Sequence, residues 1–87
     1  MEYVLVFTEQ AKKDIAFHKK SGNKSIINKI YQLLNDTIDH PFAGLGKPEQ
    51  LKHNLSGFWS RRINREHRII YNVIENSIII HSLKGHY

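Results

Sequence analysis

Eighty-seven residues are enough for one small domain, spanning 1–87, and exclude a multidomain enzyme with its own nucleotide-binding half. The chain has no cysteine, which removes disulfides, thiolate nucleophiles and Cys-type zinc sites. Thirteen Lys and Arg against eight Asp and Glu give a formal charge of +5, and no apolar run approaches the ~20 residues of a membrane span. With Glu2 directly after Met1 no secretory signal is expected, so the chain reads as cytoplasmic, with no membrane partner.

Glu2 to Phe7 reads as a β-strand apolar on both faces, and so as one lying centrally in a sheet. Thr8 is a suitable N-cap, with Glu9 in the first turn, for a helix running to about Lys20 whose inner face carries Ala11, Ile15 and His18. Ser21 and Gly22 break that pattern. Asn23 can cap a second helix in which Ile26, Ile27, Ile30, Leu33, Leu34 and Ile38 recur at three- and four-residue steps. His40 precedes Pro41 and is biased away from helical dihedrals, so the helix should end by about Asp39. Residues 41–57 hold both prolines and three of the five glycines without a sustained period, and a loop of that length is the first place to look for chemistry. Three strands follow, over 58–63, 67–74 and 77–83, joined by Asn64 to Glu66 and by Glu75-Asn76. The order β-α-α-β-β-β predicts an α+β domain with two helices packed on one face of a mainly antiparallel sheet.

Charge is concentrated in the second half: residues 1–43 hold 6 basic and 5 acidic side chains, residues 44–87 hold 7 and 3. Such an excess favours an anionic partner, nucleic acid or an acidic protein. Arg61, Arg62, Arg65 and Arg68 fall within eight residues. If residues 64–66 form a three-residue loop, Arg62 lies directly across from Arg68 on the same face. Opposed like charges destabilise a sheet unless an anion sits between them, and guanidinium forks suit phosphate. A slip of one residue would instead send the two arginines to opposite faces as solvated surface charges.

Cleaving RNA through its own 2′-hydroxyl takes a base, a cation at the phosphorane and an acid for the leaving 5′-oxygen. Glu49, the Arg62 and Arg68 pair, and His86 are candidates for those parts, set against the plainer readings of a solvated loop carboxylate and a mobile terminal imidazole. No H-E-x-x-H or paired Cys/His spacing suggests a metal, no P-loop or G-x-G-x-x-G suggests a nucleotide cofactor, and Ser56 and Ser60 lack a nucleophile-elbow setting.

The run from Gly46 to Ile63, GKPEQLKHNLSGFWSRRI, followed by Glu66-His67-Arg68-Ile69-Ile70-Tyr71 and the terminal His86-Tyr87, closely resembles the YoeB/Txe family of bacterial toxins, within the RelE/ParE superfamily. The likeness extends over essentially the whole chain, in residues 1–35 mainly as pattern. It implies a RelE-like microbial RNase fold and a toxin of a type II toxin-antitoxin pair that cuts mRNA in the ribosomal A site. It further implies Glu49 as general base, Arg68 as transition-state stabiliser, His86 as general acid, Lys52 and Arg62 as cations near the scissile phosphate, Lys47 as an RNA contact and Tyr87 as a supporting or stacking residue. Expected partners are a YefM/Axe-like antitoxin, the 70S ribosome with its mRNA, promoter DNA through the antitoxin complex, and a second copy of the chain as a homodimer. Gln50 stands where a second proline is common, and Gly85 where a bulkier residue occurs. Two rivals remain: a ParE-like gyrase inhibitor on the same fold, which needs no acid or base, and a basic RNA-binding module that blocks translation by occupancy alone.

Overall fold

The computed structural model describes residues 2–85. Strand β1 (Val4–Phe7) leads through helices α1 (Glu9–Ser21) and α2 (Lys24–Asp39) into a short strand β2 (Glu49–Gln50), a 3₁₀ turn (His53–Leu55), and strands β3 (Trp59–Arg62), β4 (Arg68–Ile74) and β5 (Ser77–Ser82). The helix boundaries have local causes. Thr8 Oγ1 accepts from the Ala11 amide at 3.1 Å and Asn23 Oδ1 from the Ile26 amide at 3.1 Å, capping both N-termini. Gly22, left-handed at φ 73°, closes α1. His40 leaves the helical region before Pro41 and closes α2.

The five strands form one sheet in the order β1-β5-β4-β3-β2. β2 to β5 pair antiparallel and β1 joins β5 in parallel. The first strand is therefore an edge and not a central strand. Leu5 and Phe7 pack on the core, whereas Val4 and Val6, on the other face, are 49% and 44% exposed. Apolarity on both faces marks burial only where both faces are covered, and here one is not.

The helical layer covers one face. Ala11 of α1 and Ile30, Leu33 and Leu34 of α2 meet Ile69, Tyr71, Ile78 and Ile80 of the sheet, with Ile63 and Leu83 at its margin. Each fully buried leucine or isoleucine contributes about 1.5–3 kcal/mol by leaving water. Among the described residues no helix is long and apolar enough to cross a membrane.

Candidate active site

The second face of the sheet is built around the β3–β4 turn. Asn64 Oδ1 accepts from the amides of Glu66 (2.9 Å) and His67 (2.8 Å), while the Ile63 amide donates to the His67 carbonyl at 3.0 Å. An asparagine folding its side chain onto the next amides is what fixes so short a loop. The resulting register sets Arg62 opposite Arg68 and Ser60 opposite Ile70, as a three-residue loop requires. Arg62 is exposed and Arg68 half-buried, with Arg68 Nη1 3.4 Å from Ser60 Oγ. Among the described residues neither arginine is ion-paired, so those residues leave both guanidinium groups with donors to spare.

Arg61 takes the opposite direction. Its side chain is fully buried on the helical side and spends all five N–H groups: Nε on Tyr71 Oη, Nη1 on Asp36 Oδ2 (2.7 Å) and the Leu45 carbonyl (3.0 Å), Nη2 on the His40 and Ala43 carbonyls. It is the pin that folds residues 40–46 against the sheet. The Leu45 amide, then the Arg61 guanidinium, hold the Asp36 carboxyl below the ordinary carboxylate range. Burial pushes the Tyr71 phenol up, and its hydroxyl donates to the Pro41 carbonyl at 2.7 Å. Of the four clustered arginines, this one belongs to the scaffold.

That pinned segment delivers the central loop to the sheet edge. The Arg62 amide donates to the Gly46 carbonyl at 2.7 Å, and two residues after Lys47 the chain becomes β2, with Glu49 opposite Ser60 and Gln50 opposite Trp59. The stretch that lacks a sequence period thus contains a strand too short to have one. Because facing residues share a side, Glu49, Ser60 and Ile70 form one row across three strands, and Arg62 with Arg68 form the next. At ordinary strand spacings the Glu49 and Arg68 backbones are then about 12 Å apart, a span that long side chains and one phosphodiester can fill. Lys47 and Lys52, both exposed, flank β2 by two residues on either side.

Two further histidines that sequence reasoning did not single out border this site, His81 on the same face and His67 on the helical side, where its ring meets His18 and Phe17 of α1. His81, at the β-bulge between β4 and β5, donates from Nε2 to Asn72 Oδ1 at 2.7 Å and packs edge-on against Phe58 at 5.0 Å. Burial lowers its pKa from the ordinary 6.5, which favours the neutral ring. The other is His67, whose Nδ1 accepts from the Gly85 amide at 2.8 Å, while the Arg68 amide donates to the Gly85 carbonyl at 3.0 Å. The chain leading into the terminal pair is therefore bound at the backbone of Arg68. His86 and Tyr87 themselves lie outside the described residues.

The architecture is thus two helices on one face of a mixed sheet, with arginines and a carboxylate row on the bare face. The chain belongs to the family described as the YoeB-like toxin of bacterial type II toxin-antitoxin systems, which matches residues 7–87. It is 47% identical over 83 residues to the toxin YoeB of Escherichia coli K12, covering 95% of this chain and 98% of that one. The toxin YoeB of Synechocystis is 41% identical, with 95% of each chain covered. Among solved structures, a YoeB/ParE toxin from Agrobacterium tumefaciens superposes with a TM-score of 0.89 at 36% identity, and a YoeB dimer from Staphylococcus aureus with 0.87 at 41%, each over 100% of both chains. YafQ from E. coli, at 16% identity and a TM-score of 0.79, shares the fold.

Proposed function

We propose that this chain is a ribosome-dependent endoribonuclease that cuts mRNA in the A site and so halts translation. The observation that carries this reading is the register: the Glu49 row and the Arg62–Arg68 row are neighbours on the uncovered face, and Gly85 is bonded to the Arg68 backbone. Glu49 takes the proton of the 2′-hydroxyl, whose oxygen attacks the adjacent phosphorus. Arg68 and Arg62 hold the two charges of the phosphorane, and Lys47 and Lys52 the flanking phosphates. The bond from phosphorus to the 5′-oxygen breaks as His86 protonates that oxygen, leaving a 2′,3′-cyclic phosphate and a 5′-hydroxyl. Tyr87 supports or stacks beside that group. The substrate supplies its own nucleophile, so the scheme calls for no activated water and no cofactor. Aligning 2′-oxygen, phosphorus and 5′-oxygen is worth several kcal/mol, and the ribosome supplies that alignment.

The whole chain, 1–87, acts in this reading as one cytoplasmic unit. Its partner is an acidic antitoxin of the YefM/Axe kind, as in the YoeB–YefM complexes from S. aureus. Exposed Val4, Val6 and Ile74 beside a cationic face suit a partner segment with both apolar and acidic residues. A homodimer, as in the S. aureus YoeB dimer, and promoter binding through the antitoxin complete the reading.

The test is to add the protein to 70S ribosomes programmed with a defined mRNA and to map new 5′ ends and their chemistry. A cut within the A-site codon, carrying a 5′-hydroxyl, is expected. Intact mRNA on stalled ribosomes would leave blockade by occupancy, and unaffected translation with inhibited gyrase would favour the ParE-like rival.

A further inference from the structure

The backbone leading into His86 is gripped twice. Asp14 and His18, one helical turn apart on the inner face of α1, take both polar groups of Leu83: Asp14 Oδ2 accepts from its amide at 2.9 Å and His18 Nε2 contacts its carbonyl at 2.7 Å. A carbonyl only accepts, so His18 carries its hydrogen on Nε2, and its buried Nδ1 has no partner among the described residues. Two residues on, His67 Nδ1 and the Arg68 amide take both polar groups of Gly85. An amide only donates, so His67 Nδ1 must be bare. The His67 ring is held in place by its neighbours, with His18 edge-on at 4.8 Å and Phe17 at 6.5 Å.

We propose that His67 is a positioning residue for the cleavage reaction: its bare Nδ1 latches the Gly85 peptide and thereby holds the chain that leads into His86 beside Arg68. The latch deepens the endoribonuclease reading and rests on it for its catalytic consequence, though not for its geometry. It is also sensitive to pH. An imidazolium carries hydrogen on both nitrogens, so a protonated His67 would set donor against donor at Gly85. Burial, then the His18 ring, with Lys84 of the tail, lower the His67 pKa from 6.5, while Glu66 of the turn and Asp14 of α1 oppose them. The folded protein thus favours the neutral ring. Its stabilising contribution is complete above the unfolded value of 6.5 and is lost as pH falls from there through the lowered folded value.

The experiment follows the Gly85 amide by NMR hydrogen exchange, corrected for intrinsic pH dependence, alongside single-turnover cleavage on programmed ribosomes. His67→Phe keeps the ring packing and removes the acceptor. It is expected to speed Gly85 exchange about tenfold or more and to lower kcat by a similar factor with KM little changed. His67→Asn offers an amide oxygen near the Nδ1 position and is expected to restore protection and most of the rate. As pH falls from 7.5 through the lowered folded pKa of His67 the wild type should lose Gly85 protection and the Asn variant keep it. Gly85 protection unchanged in His67→Phe, or equally pH-dependent in His67→Asn, overturns the latch. Should His67→Phe fail to fold, the pH comparison of wild type and His67→Asn decides. A wild type that cuts no mRNA while its Gly85 protection depends on His67 overturns the endoribonuclease reading and spares the latch.

Discussion

Adjacent arginines with opposite fates show how little of a residue's role resides in its own chemistry. Arg61, itself fully buried, meets a carboxylate, a phenol and three carbonyls, and Arg62, one residue along an alternating strand, is exposed. Lysine offers three donors in no fixed plane where the pocket uses five in a fork, so Arg61→Lys strands buried acceptors at about 1–3 kcal/mol apiece. We expect Arg61→Lys to lower unfolding stability by about 3 kcal/mol in urea titration, and Arg62→Lys, on the exposed face, by no more than about 0.5 kcal/mol. Equal losses at the two positions would contradict the assignment of Arg61 to the scaffold.

At the scale of elements, the edge strand β2 depends on its approach. Gly46 sits at φ 78°, and a Cβ there would lie 2.7 Å from Leu33 Cδ2 and 3.1 Å from the Arg62 carbonyl oxygen. Gly57 has φ 94° and nothing within 4 Å. Gly57→Ala should therefore cost only backbone strain, about 1–2 kcal/mol, whereas Gly46→Ala adds a collision with α2 and β3 and should displace β2, reducing cleavage even in the folded fraction. Retention of full cleavage by folded Gly46→Ala would contradict the role given to this strand. These elements also show which parts of the fold were legible beforehand. The second helix, its Asn23 cap and its end before Pro41 follow from local rules, whereas the sequence left the Arg62–Arg68 register open against a one-residue slip, and the Asn64 side chain that fixes the three-residue loop decides it. The edge position of β1 was not legible, since Val4 and Val6 look buried in a string of letters. Nor was β2, whose two residues are strand only because Trp59 and Ser60 pair with them. Asp14 had a sequence signal that was passed over: a charged residue between Ala11 and His18 on an apolar helix face has to find a buried partner, and it finds the Leu83 amide.

Over the whole molecule, internal bonds redistribute the charge. Asp14 and Asp36, two of the five acidic residues in the first half, are occupied by the Leu83 amide and by Arg61 with the Leu45 amide. Arg61 cancels Asp36, so the buried Asp14 alone makes the outer surface more basic than the sequence count of +5. One face is closed by helices, and the other presents Arg62, Arg68 and Glu49 without cover. The proposed chemistry then turns on whether base and acid act on one phosphodiester. Single-turnover cleavage on programmed ribosomes by Glu49→Ala, His86→Ala and the double variant tests this directly. General acid and base groups are each worth about 10²–10⁴ in rate. Each single variant should lose a factor in that range, with the double variant losing less than the product of the two. Undiminished A-site cleavage by the double variant would contradict the account.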